Sequence, residues 1–151
     1  MKTESHVEID RPIEEVFHFT TNNVASWSTT VLEDTILEDV NNCDVGTTFR
    51  CVTFDHGQRM EFLGTVIQYD PPNKSCVHLA GTKFNIVADY DFTDLGDRTR
   101  VTQSAEITGK GFLKVVFFLF GRAMQKAGSK AQESELGNLK RIMEEPESTP
   151  S

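Results

Sequence analysis

The stretch Gln58-Arg59-Met60-Glu61-Phe62-Leu63-Gly64-Thr65-Val66-Ile67-Gln68-Tyr69-Asp70-Pro71-Pro72-Asn73-Lys74-Ser75-Cys76-Val77-His78-Leu79-Ala80 decides the fold. Residues 58–69 read as a strand. The double proline stops it, because proline has no N–H to give to a ladder. Residues 75–80 then resume an apolar alternation. Only Asp70–Asn73 separates the two runs, too little chain for a parallel crossover, so the pair is antiparallel. Upstream, Asp55-His56-Gly57 is a tight turn, and residues 47–54 and 31–37 are earlier strands punctuated by Asn41-Asn42 and Asp44-Val45-Gly46. Downstream, residues 84–92 and 99–107 form a hairpin around Asp94-Leu95-Gly96-Asp97.

The two ends of the chain read differently. Residues 4–9 alternate, with Val7 and Ile9 on one face and His6 and Glu8 on the other. Pro12 suits a first helical turn, and Glu14 and Glu15 favour the same end through the helix dipole. Ile13, Val16, Phe17 and Thr20 share one face of this helix, Asn22-Asn23 ends it, and a short second helix carries Val24–Trp27. Residues 109–145 read as a long helix in two parts, 112–120 and 122–143, divided at Gly121. Ala123, Ala127 and Ala131 predict a close approach to the sheet, and Leu136, Leu139, Ile142 and Met143 continue an apolar stripe. Residues 112–120 read as a buried helix start, with a membrane- or partner-contacting element as the alternative. The fold class is therefore α+β, one domain over 1–145, with residues 146–151 expected as a disordered tail.

Composition narrows function. The chain has 151 residues, enough for one domain with a real core. Its net charge is −8, and no cluster of Lys and Arg stands out along it. Nucleic acid and anionic membrane surfaces are therefore disfavoured partners. Three cysteines without CxxC spacing argue against a disulfide framework or zinc site. The N-terminus has no apolar leader-like core, so a reducing cytoplasm is the expected location. The longest apolar run, 112–120, is interrupted by Lys114 and falls short of the roughly 20 residues a membrane span needs, so no stable membrane insertion is expected.

The order strand, helix pair, six strands, long helix resembles the helix-grip fold of the START-like, SRPBCC superfamily, which includes polyketide cyclase/dehydrase-like proteins. Residues 8–17, EIDRPIEEVF, resemble its strand-to-helix opening, and Trp27 stands where a tryptophan commonly follows. Residues 44–49, DVGTTF, resemble its second hairpin; 64–72, GTVIQYDPP, its strand running into a double proline; and 97–102, DRTRVT, its final hairpin. The resemblance implies a seven-stranded curved antiparallel sheet wrapped around the C-terminal helix, with two short helices after the first strand. It also implies a cavity for a small hydrophobic molecule or lipid; no cofactor is expected. It does not imply one activity, because such a fold hosts binders, transporters and enzymes.

If the sheet curls around the helix, alternation brings Phe49, Cys51, Met60, Phe62, Phe84, Ile86, Tyr90, Phe92, Val101 and Gln103 to the cavity wall, with Val77, Leu79, Ala105 and Ile107 beside them. Phe117, Phe120 and Met124 would close one end and Trp27 the other. The same residues would also serve as core. Tyr90 and Gln103 are the polar members that could orient a ligand. His78, flanked by Val77 and Leu79, is expected to face solvent; His6 and His18 are expected on outer faces and His56 in a turn. Asp89 and Asp91 share the face opposite Tyr90 and read as solvated. No compact metal-ligand spacing and no G-x-S-x-G elbow occurs, and Gly109-Lys110-Gly111 is not a P-loop. Three functions remain. The first and favoured is a non-catalytic binder of a hydrophobic molecule. The second is a cyclase-, dehydratase- or hydrolase-type enzyme using Tyr90, Gln103 or His78. The third is a chaperone-activator-like module acting through an acidic surface.

Overall fold

A computed structural model describes residues 1–145; the tail expected over 146–151 lies outside the described residues. In chain order the elements are β1 (Lys2–Ile9), α1 (Ile13–Asn22), α2 (Val24–Trp27), β2 (Val31–Glu38), β3 (Thr48–Asp55), β4 (Gln58–Asp70), β5 (Lys74–Ala80), β6 (Phe84–Asp94), β7 (Thr99–Gly109) and α3 (Phe112–Glu144). The strands form one seven-stranded sheet in the order β1-β7-β6-β5-β4-β3-β2. Every neighbouring pair is antiparallel. Five of the six pairings are therefore between consecutive strands, as short turns dictate. The tight turn between β3 and β4 places His56 at φ 50° and Gly57 at φ 76°. Left-handed backbone at both positions matches the twist of the flanking strands.

Directly opposed residues on antiparallel strands share a face. One row on the inner face runs Val7, Val101, Phe92. The next runs Ser5, Gln103, Tyr90, Ser75, Tyr69, and the third Thr3, Ala105, Ala88, Val77, Val66. The fourth runs Ile107, Ile86, Leu79, Gly64, Phe49, Ile36. The first row is filled. Phe92 and Val101 join Ile9, Val16, Phe17, Trp27, Leu136, Leu139 and Met143 in the buried core. Burying each large member contributes about 1.5–3 kcal/mol. Polar ties hold α3 in place: Lys140 Nζ donates to the Glu8 carbonyl at 2.7 Å, and Asn138 Nδ2 donates to the Trp27 carbonyl at 2.6 Å.

The third row uses only small side chains, and the fourth includes a glycine. A Cβ built on Gly64 would stand 2.2 Å from Phe49 Cζ, so the ring lies directly on the glycine backbone. Gly64→Ala is expected to lower stability by about 1–3 kcal/mol through overpacking. An unchanged urea midpoint would show that the ring has free space to move.

Two readings of α3 need correction. Ala123 and Ala127 are exposed, and Ala131 borders the open space between helix and sheet; the close approach to the sheet is at Gly128, where a Cβ would meet Thr3 Cγ2 at 3.3 Å. The helix start over 112–120 is not buried either: Phe112, Val115, Phe118, Leu119 and Phe120 are exposed. The expected division falls at Phe120 (φ −118°, ψ 16°), one residue before Gly121, and the helix continues unbroken through Gly128 and Gly137.

Candidate functional site

Small residues in the third row leave space between sheet and α3. A cavity of about 940 Å³ occupies it. Val66, Val77, Leu79, Ile86, Ala88, Ala105 and Ile107 form the apolar floor. Gly128, Ala131, Gln132 and Glu135 face it from α3, and Trp27 and Val24 from α2. The cavity is not sealed. Its rim carries the exposed residues Asn22, Ile36, Asp39, Asn42, Asp55 and His56.

Polar groups gather on one side. The Cα of Asp34 on β2 opposes that of Cys51 on β3. Glu135 of α3 accepts hydrogen bonds from Ser28 Oγ at 2.8 Å, Thr30 Oγ1 at 3.0 Å and Thr29 Oγ1 at 3.2 Å. Tyr90 Oη accepts one from Gln103 Nε2 at 2.9 Å, and the Gln103 carbonyl accepts one from Gln132 Nε2 at 3.1 Å. Four buried lining oxygens have no partner among the described residues: Gln103 Oε1, Gln132 Oε1, Thr20 Oγ1 and Thr53 Oγ1. Buried polar atoms are normally satisfied, so these mark where a ligand group or water belongs.

The electrostatics follow from enclosure. Asp34 keeps access to the open cavity, yet the walls crowd it, and desolvation pushes its carboxyl from 3.8 up to about 6. Desolvation also pushes the Cys51 thiol up to about 12, helped by the charges of Asp34 and Glu135. Burial first, then Glu135, Cys51 and Asp34, drives the Tyr90 phenol far upward. The thiol and the phenol are therefore neutral and protonated at pH 7. Among the described residues no Lys or Arg lines the cavity, whereas Asp34, Asp39, Asp55 and Glu135 do. Its unpartnered amide oxygens, Gln103 Oε1 and Gln132 Oε1, accept hydrogen bonds, its hydroxyls can accept or donate them, and its carboxylates disfavour anions.

The structure places Trp27, Phe49, Cys51, Ile86, Tyr90 and Gln103 on the cavity wall. Other expected members lie elsewhere. Phe92 and Val101 are in the packed core. Phe62 and Phe84 share the inner face but pack on each other outside the lining, with ring centroids 5.6 Å apart and planes inclined at 52°. Met60 pairs with Thr53 near the β3–β4 turn, outside the lining. Phe117 lies against Gly109, Phe120 is exposed, and Met124 does not reach the lining. His78 opposes Thr65 and Val87, on the outer face. Asp89 and Asp91 are also outside, 3.6 Å and 3.8 Å from Lys74 Nζ. His18 departs from its expected outer position: it is exposed, but at the cavity rim. Asp34, Glu135 and Gln132 are not legible in the sequence as site residues. A charge on an edge strand and two polar residues on a helix carry no local mark of facing inward.

Among the described residues no group of three or more His, Cys, Asp or Glu side chains is placed to hold a metal ion. No helix of the described residues is long and apolar enough to cross a membrane.

Among curated proteins no sequence match is found. TTHA0849 from Thermus thermophilus has a similar structure, with TM-score 0.77 and 17% identity over 95% of this chain and 97% of that one. A START superfamily protein from Mycobacterium smegmatis gives TM-score 0.68 and 18% identity over 91% and 98%. The Zhui aromatase/cyclase from Streptomyces gives 0.72 and 14% over 93% and 94%. At these identities the likeness is one of fold, and it is the helix-grip fold. A family model, described as polyketide cyclase / dehydrase and lipid transport, matches residues 1–144. The chain is a member of that START-like, SRPBCC family.

Proposed function

We propose that this protein binds a small, mainly apolar molecule that carries hydrogen-bond donors and no anionic group. One observation carries the reading: an apolar cavity of about 940 Å³ whose polar side holds carboxylates and unpartnered amide oxygens and, among the described residues, no Lys or Arg. Ligand sites have this form, an apolar wall with a few orienting groups. A fatty acid or phosphorylated lipid would set its head against Asp34 and Glu135, whereas an alcohol, phenol, amide or amine would satisfy Gln103 Oε1 and Gln132 Oε1. A cavity this size also counts against a chaperone-activator-like module, for which a small or collapsed cavity is expected. Three free cysteines, Cys51 and Cys76 of them buried, suit a reducing compartment such as the cytoplasm. Native mass spectrometry of freshly purified protein, followed by organic extraction, tests the ligand class. A donor-bearing neutral or cationic species is expected; a co-purified fatty acid or phospholipid would reject the assignment.

A second reading, catalysis, has one specific observation in its favour. Desolvation raises the Asp34 carboxyl to about 6 beside a ligand-sized cavity, a range that suits a general acid or base. The same group gives the binding a pH dependence. Covering Asp34 with a neutral ligand removes it from water, which is easier for the protonated form. Affinity for a neutral ligand is expected to be highest below about pH 6. Above that it falls, by at most about tenfold per pH unit. Asp34→Asn flattens the profile under either reading. Loss of turnover of the extracted compound in that variant, with binding retained, would select catalysis. The sign for folding is the same. The native state holds this proton more tightly than the unfolded chain, so the contribution of Asp34 to stability falls as pH rises from 3.8 to about 6.

A further inference from the structure

The start of α3 is apolar on every side. Residues 112–120 read FLKVVFFLF, with Lys114 the single polar residue. Leu113, Val116 and Phe117 are half-buried against the protein. The opposite face should then be polar, yet Phe112 is 79% exposed, Phe118 87%, Leu119 65% and Val115 52%. A helix apolar all round belongs in an apolar medium, and a contiguous exposed patch of this kind marks an interaction surface.

Charge identifies the medium. Residues 107–132 contain Lys110, Lys114, Arg122, Lys126 and Lys130 and no Asp or Glu, in a chain whose net charge is −8. None of these five cations belongs to an ion pair among the described residues. Helical spacing sets Arg122 and Lys126 on the continuation of the Val115–Leu119 stripe. Arg122, Lys126 and Lys130 line a shallow groove there with Gln125, Ser129 and Glu133. The acidic overall charge argues against an anionic surface only at a distance. Charges more than a Debye length away, about 8 Å at physiological salt, are screened, so the local cations decide.

We infer that the first half of α3 docks, lying in the interfacial plane, on an anionic lipid surface. Phe112, Val115, Phe118 and Leu119 enter the acyl boundary and Lys114, Arg122 and Lys126 meet the headgroups. Apolar residues flanked by cations are the pattern of an interfacial helix. Each cation near an anionic leaflet adds attraction that salt weakens. A second copy fits less well, because pairing two such faces brings like charges together. The inference does not depend on what the cavity holds.

The test is flotation of the full chain with two kinds of vesicle, phosphatidylcholine alone and phosphatidylcholine with about one-third phosphatidylserine, at low salt and at about 0.15 M. Binding is expected to the phosphatidylserine vesicles, several-fold weaker to phosphatidylcholine and weaker at the higher salt. Phe118→Ser with Leu119→Ser should reduce binding tenfold or more. Arg122→Gln with Lys126→Gln should remove the lipid-charge preference. Both pairs are exposed, and an unchanged thermal melt confirms that each variant is folded. Absence of flotation by the wild type, or equal flotation by the Ser pair, overturns the proposal. Self-association that the Ser pair abolishes, without vesicle binding, overturns it too and assigns the face to a second copy.

Discussion

Trp27→Ala is expected to cost about 3–5 kcal/mol of stability, a large share of the roughly 5–15 kcal/mol that holds such a domain folded. Trp27 is 1% exposed and lies where α2, the sheet and α3 meet. Its Nε1 donates to the Thr20 carbonyl at 3.0 Å, and its own carbonyl accepts from Asn138. Its ring stands edge-on to Tyr90, with centroids 6.5 Å apart. Truncation therefore removes apolar burial, leaves the Thr20 carbonyl unpaired and enlarges the cavity at its polar side. Trp27→Phe keeps most of the burial and loses the donor, so a smaller loss, about 1–2 kcal/mol, is expected. Urea unfolding followed by circular dichroism is the appropriate measurement, because the chain has no other tryptophan to report by fluorescence. A loss below about 1 kcal/mol for the alanine variant would mean that α2 does not lock the helix to the sheet.

Ala88→Trp is expected to abolish ligand binding, by a hundredfold or more, while the protein stays folded. Ala88 sits mid-floor, between Val77 and Ala105 in its row, and faces the cavity. An indole there grows into space rather than into packed atoms. The strain should therefore stay near the lower end of the roughly 1–3 kcal/mol typical of overpacking. The ligand and the indole cannot share the volume. His78→Gln, on the outer face of the adjacent strand, is the control and should bind as the wild type does. If Ala88→Trp binds normally, the ligand lies elsewhere.

The strands are legible in the sequence because their turns are chemically explicit. The double proline, His56-Gly57 and the Leu95-Gly96 turn each fix where a ladder stops, and every strand lies where alternation puts it. Alternation reports which face a residue takes, but not how far along the sheet it sits. Phe92, Phe84 and Tyr90 thus read alike, although one is core, one packs on Phe62 outside the lining and one lines the cavity. The β2 edge adds a second ambiguity. Register shifts on either side of residues 33–36 change which side chains turn inward, and Asp34 enters the site that way. For α3, periodicity shows an apolar helix but not whether the sheet extends beneath it, so the exposed start at Phe112–Phe120 reads as buried.

The central claim is that an apolar molecule occupies the space between sheet and helix. Titration with N-phenylnaphthylamine, a neutral dye that brightens on leaving water and carries one N–H donor, tests it most directly. Saturable binding of one dye per chain is predicted, with blue-shifted emission in the wild type and loss of both features in Ala88→Trp. A linear, unsaturable signal, or an identical isotherm for the two proteins, would contradict it.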